Sequence, residues 1–169
     1  MNYSLFHYFD TEIGPFKNLS KLTLEHAEEL SKQLKQDDMK FASQRSSDYI
    51  IIRRELEQLA RSQFIMKGGR PKNPFPHYLT LGTCEWLKTW YRNPGVLEIP
   101  WDEFLEESIS FTYGDLFPTM RFQDNKPYRK QDYTKQEIIE IIKKYGFPQD
   151  WNSSGNKGPE RYIEVQIWD

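Results

Sequence analysis

Residues 67–76, KGGRPKNPFP, hold two glycines and three prolines in ten positions, and neither a helix nor a central strand passes through such a run. The chain is therefore broken here into two stretches that must be read separately. Ahead of the loop the periodicity is mainly helical. An apolar-rich segment, YSLFHYF, predicts an N-terminal strand that ends at the Gly14–Pro15 turn. Leu24, Ala27, Leu30 and Leu34 then repeat at spacings of three and four, which predicts a helix from an N-cap at Thr23 to about Asp38. A longer helix is expected from Arg45 to Phe64, with Tyr49, Ile52, Leu56, Leu59, Ala60 and Phe64 on its apolar face. Glu57 has Arg61 four residues after it and Arg53 four before, so an intrahelical ion pair is available on either side.

Beyond the loop, short strand-like runs alternate with turns. HYLTLG and VLEIP read as strands, TCEWLKTWYR as a short helix between them, and WDEFLEES as a short acidic helix. SISFTYG alternates so that Ile109, Phe111 and Tyr113 share a face, and Gly114–Asp115 breaks it. TMRF and PYRKQDY flank the turn-rich Gln123–Lys126 and predict a hairpin. Thr134 and Glu137 form the signature of a capping box ahead of Ile138, Ile139, Ile141, Ile142 and Tyr145, and Gly146 and Pro148 supply the stop. In the final strand, Ile163, Val165 and Ile167 face one way and Tyr162, Glu164, Gln166 and Trp168 the other. The expectation is an α+β fold: a single globular domain over residues 1–169, with a mostly antiparallel sheet of about five strands on about three main helices.

Charge and composition narrow the function classes. With 23 basic and 25 acidic side chains the net charge is −2, which lacks the basic excess of a typical nucleic-acid-binding domain. The charges are unevenly spread: residues 53–72 carry six basic against two acidic groups, whereas residues 98–115 carry six acidic groups and no Lys or Arg. No run approaches the length of a membrane span, and the opening MNYSLFHYFD lacks the order of a signal peptide, so a soluble, cytoplasmic protein is expected. The lone cysteine, Cys84, excludes an intramolecular disulfide, and its neighbours suit a small buried hydrophobe better than a nucleophile. His7, His26 and His77 are too scattered for a ready-made metal site, and none is expected. Phosphate-loop, dinucleotide, nucleophile-elbow and zinc-protease motifs are missing, so the residues point to no particular cofactor or reaction.

Lys67, Gly68, Gly69 and Arg70 are the foremost candidates for chemistry. Adjacent glycines can bare backbone N–H groups to an anion while Lys and Arg supply charge, although the same glycines would equally serve to turn the chain after a helix. His77 and Tyr78 follow at the next strand. Tyr113 and Asp115 stand at a strand end, where Asp115 could anchor a ligand hydroxyl or simply satisfy the backbone N–H groups of its own turn. Tyr162 and Glu164 lie on the polar face of the last strand, as cleft lining or as ordinary solvent-facing surface. Together these residues suggest binding of an anionic small molecule, phosphate- or carboxylate-bearing and nucleotide-like. The alternative is a non-enzymatic protein-interaction module anchored by Trp86, Trp90, Trp101, Trp151 or Trp168.

Overall fold

The computed structural model describes residues 2–18, 20, 25, 26, 29 and 48–169. Five strands form one antiparallel sheet: β1 (Ser4–Asp10), β2 (His77–Leu81), β3 (Pro94–Pro100), β4 (Ile109–Thr112) and β5 (Ile163–Ile167), in the order β3-β1-β2-β5-β4. The described helices are α1 (Tyr49–Met66), α2 (Leu116–Arg121), α3 (Lys135–Tyr145) and the single turn α4 (Pro148–Trp151). The helix predicted from Thr23 to Asp38 lies largely outside the described residues.

Register decides which side chains share a face. Leu5 pairs with Leu81, Leu81 with Ile163, Leu79 with Val165 and Phe111 with Val165, so the apolar half of each alternating strand falls on one side. Helix α3 covers this side, and its fully buried Ile138 belongs to the same apolar core as Leu79, Ile109, Phe111, Ile163 and Val165. The helix starts where the sequence says it should: Thr134 Oγ1 accepts from Glu137 N–H at 3.3 Å, and Glu137 Oε2 accepts from Thr134 N–H at 2.9 Å.

The opposite face carries Tyr78, Thr80, Ser110, Thr112, Glu164 and Gln166, a row of polar groups that pair across β2, β5 and β4. Helices α1 and α2 lie over its β4 end, where Ala60, Phe64, Leu116, Met120 and Trp168 pack together. Both faces of β5 are thus buried, and the polar side of that strand does not meet solvent.

Four local expectations are corrected. No hairpin forms around Gln123–Lys126, because Asp115 caps a helix instead: its Oδ1 accepts from Phe117 N–H at 2.8 Å and α2 takes up TMR. Only Tyr133 pairs with Phe111 in an isolated bridge. The acidic segment WDEFLEES makes two 3-10 turns, Trp101–Glu103 and Glu106–Ser108, and no α-helix. Arg61 does not bind Glu57: it donates to the carbonyls of Asn73 at 3.2 Å and Pro71 at 2.9 Å, fastening the proline-rich loop to α1. The buried stripe of α1 is Ile50, Glu57, Ala60 and Phe64, while Leu59 is exposed. Among the described residues no helix is long and apolar enough to cross a membrane.

Candidate functional site

The buried stripe of α1 puts a carboxylate where a hydrophobe is usual. Glu57 has no exposed surface; its Oε1 accepts from Tyr78 Oη at 2.6 Å and from Arg53 Nε at 3.0 Å, and among the described residues its Oε2 has no hydrogen-bond partner. Arg53 reaches on to Asn18 Oδ1 at 3.1 Å. Burial works against the charge on Arg53, but Tyr49, Tyr78 and Glu57 around it more than offset this and hold the guanidinium protonated. Burial and the Glu57 charge together push the Tyr78 hydroxyl well above its ordinary range, so it remains a donor.

Beside this pair lies a second acidic pair. Tyr162 Oη stands 3.0 Å from Asp115 Oδ2 and 3.4 Å from Glu164 Oε2, and its single proton serves the nearer oxygen. Glu164 Oε1 accepts from Leu116 N–H at 3.0 Å and from Gln166 Nε2 at 3.2 Å. Burial, then the neighbouring Asp115 charge, raise the Glu164 carboxyl above its ordinary value, against the hydrogen bonds from Leu116 and Gln166. Asp115 is only half-buried and opens this cluster toward solvent.

Tyr78, Asp115, Tyr162 and Glu164, drawn from three segments of sequence, therefore meet, and Glu57 and Arg53 join them from α1. Glu57 was missed as a site residue because its spacing to Arg61 and Arg53 accounted for it as a surface ion pair. The signal available was the stripe Ile50, Glu57, Ala60, Phe64, at spacings of seven, three and four, with a small alanine at its centre.

The other candidates lie elsewhere. Tyr113 is fully buried on the α3 side, donating to Gly146 O at 2.8 Å and accepting from Trp151 Nε1 at 3.1 Å. Burial lifts its hydroxyl to about 12. His77 points to the Leu79 side of β2 and meets Phe16 edge-on. Lys67 to Arg70 sit at the C-terminal end of α1, ten residues beyond Glu57 and so about 15 Å along the helix axis. Lys67 Nζ donates to Asp132 O at 2.5 Å and Glu137 Oε2 at 2.9 Å. Gly68 turns the chain at φ +95°, and Gly69 lies so close to Phe64 that a Cβ would come within 2.4 Å of the ring. The Arg70 side chain is exposed, and its N–H donates to Glu107 O at 2.8 Å.

None of the five tryptophans is exposed: Trp101 and Trp168 are buried, and Trp86, Trp90 and Trp151 are half-buried. His7 is likewise structural, since Nε2 accepts from Phe16 N–H at 2.9 Å and Nδ1 therefore donates to Tyr78 O at 2.8 Å. Burial lowers its pKa, in keeping with this neutral ring. Cys84 is buried, and burial raises its thiol. Among the described residues no group of three or more His, Cys, Asp or Glu is placed to hold a metal ion. No known protein family, no curated protein and no solved structure matches the chain.

Proposed function

We propose that the chain binds a small polar ligand at the cluster of Glu57, Tyr78, Asp115, Tyr162 and Glu164. The observation that carries this reading is the concentration of three carboxyl groups and two tyrosines beneath α1, with one buried oxygen, Glu57 Oε2, left without a partner among the described residues. Buried carboxylates are costly for a fold that needs only packing, and a ligand bringing hydroxyl or amino donors would satisfy them. The anionic part of a nucleotide-like ligand finds less support here. Lys67 is engaged by the protein itself. The N–H groups of Gly68, Gly69 and Arg70 are not bared to an anion, as the sequence suggested, but donate to Ile65 O, Phe64 O and Glu107 O. This leaves the exposed Arg70 side chain as the group for a phosphate or carboxylate.

A thermal-shift panel of nucleosides and polyols, polyamines, and nucleotides and sugar phosphates tests both parts, with Asp115→Asn and Arg70→Ala run beside the wild type. Asparagine keeps the helix cap. A ligand at 100 times its Kd stabilises the native state by about 2.7 kcal/mol. A shift with hydroxyl- or amine-bearing compounds that Asp115→Asn abolishes is the expected result. A shift confined to phosphates and lost in Arg70→Ala would move the site to the turn, and no shift across the panel would overturn the proposal.

A further inference from the structure

Strand β1 carries a histidine whose ring is held as a hydrogen-bond acceptor. His7 is buried, and its ring stacks on Phe16 at 4.4 Å and on Phe9 at 5.6 Å. The Phe16 backbone N–H can only donate, so Nε2, 2.9 Å away, bears no proton and the ring is neutral in this state. Phe16 in turn needs holding. Its φ of +57° lies in the left-handed region, which a residue with a bulky side chain leaves unless its surroundings keep it there. Those surroundings are the His7 stack, the bond to Nε2 and the edge of the His77 ring. Among the described residues no other backbone hydrogen bond fixes residues 15–17. Two residues on, Asn18 joins this segment to α1 and to the entry of β2: its Oδ1 accepts from Arg53 Nη2 at 3.1 Å, and its Nδ2 donates to Pro76 O.

Protonation reverses the role of Nε2. An imidazolium has two donors, so Nε2–H would face the Phe16 N–H, and a buried charge would replace a hydrogen bond. The stacked phenyl rings by themselves favour a cation, as does the Tyr78 carbonyl, but burial outweighs them and lowers the ring's pKa. Among the described residues no carboxylate is placed to offset the new charge. Leu97 lies opposite His7 on β3, and His77 reaches Phe16 from β2. Asp10, Glu98 and the Tyr78 side chain alternate to the other face of the sheet, where Tyr78 meets Glu57. Asp10 is further held by the N–H groups of Glu12 and Asn93, and Glu12 and Lys17 are exposed.

We propose that His7 is a pH-sensitive latch: the neutral ring holds Phe16 in its left-handed conformation and keeps Asn18 within reach of Arg53, and protonation releases both. The sign follows from linkage. A free histidine titrates near about pH 6.5 and the latched ring lower, so the latch is fully closed above that point and weakens as pH falls, by up to about tenfold per pH unit. Arg53 also binds Glu57, so a ligand held there would bind less well in acid. That consequence rests on the binding site proposed above; the latch itself does not, and it is measured without a ligand.

The test is an NMR titration of the full chain from about pH 7.5 to about pH 5, the range in which a histidine changes charge. It follows the His7 ring, the Phe16 amide, the Arg53 side-chain N–H and, as a reference for the sheet, the Val165 amide. His7 should titrate below about pH 6.5. Over the same range, Phe16 protection relative to an unstructured chain at each pH should fall by about tenfold, and the Arg53 resonance should shift, while Val165 stays protected. In His7→Gln, whose amide oxygen accepts at every pH, the transition should vanish, and in His77→Gln it should remain. Should a variant fail to fold, coincidence of the His7 and Phe16 midpoints in the wild type decides. A ring that stays neutral to the end of the titration would overturn the proposal, as would a Phe16 amide or an Arg53 resonance unmoved while His7 titrates. So would a transition that follows His77, or one in which Val165 loses protection together with Phe16.

Discussion

The hydroxyl of Tyr78, on β2, donates to Glu57 Oε1 across 2.6 Å and ties the central sheet to α1 through a buried carboxylate. The bond joins residues 21 apart in sequence, and the Arg53 guanidinium completes it from the helix side. Tyr78→Phe removes the donor and leaves Glu57 with Arg53 alone. The expected cost is about 1–3 kcal/mol of folding stability, read from urea denaturation, and a double-mutant cycle with Glu57→Gln should return most of it as coupling. Unchanged stability in Tyr78→Phe would show that the two elements are held by packing alone.

Asp132 offers a test in pH. The residue has no exposed surface, and burial pushes its carboxyl well above the carboxylate range, against the opposing influence of Ser110 and Lys67. Its folded pKa is raised, so the native state keeps a proton that the unfolded chain releases near about pH 4, and stability falls as pH rises beyond that point. Asp132→Asn removes this dependence. The variant should gain about 1–3 kcal/mol over wild type at about pH 8, with the gain shrinking toward about pH 4. A difference that does not vary with pH would mean that Asp132 ionises freely in the folded protein.

Glu160 behaves in the opposite sense. It is fully buried and accepts from Tyr128 Oη at 2.5 Å, Lys126 Nζ at 3.1 Å and Arg129 Nη2 at 3.0 Å, while Arg129 also grips Asp124 with two bonds of 2.9 and 2.8 Å. Burial opposes its ionisation, but these donors prevail and hold its pKa below the ordinary glutamate value. The pair's stabilisation is therefore present above the unfolded glutamate pKa and lost as pH falls through the lowered folded one. Arg129→Met strands the carboxylate with weaker partners, and thermal unfolding at neutral pH should show a loss of about 3–5 kcal/mol.

The glycine pair after α1 separates two physical causes in one turn. Gly68 has open space around its missing Cβ but sits at φ +95°, so Gly68→Ala should cost about 1–2 kcal/mol through backbone strain. At Gly69 the obstacle is the Phe64 ring, 2.4 Å from the site of a Cβ, and Gly69→Ala should cost about 1–3 kcal/mol through overpacking. Trimming the ring in a Phe64→Leu background should relieve the second cost and leave the first. Equal costs in both backgrounds would remove the steric account.

Alternation and capping wrote much of this fold into local sequence. Ile163, Val165 and Ile167 had to share a face because a strand has a period of two, and Thr134 with Glu137 had to open a helix because the two side chains satisfy each other's backbone donors. The α+β class and a mostly antiparallel sheet follow from such patterns. The site residues were only half visible, because a sequence names polar groups without saying which surface is covered. Tyr162 and Glu164 read equally as a cleft or as solvent-facing strand until β5 took its place between β2 and β4, with α1 and α2 over that side of the sheet. Glu57 read as one end of a surface ion pair until the helix turned that stripe inward and Tyr78 met it from the sheet. Burial arises from contacts far apart in the chain, and it is burial that turns a glutamate from a solvated charge into a group whose every oxygen needs a partner.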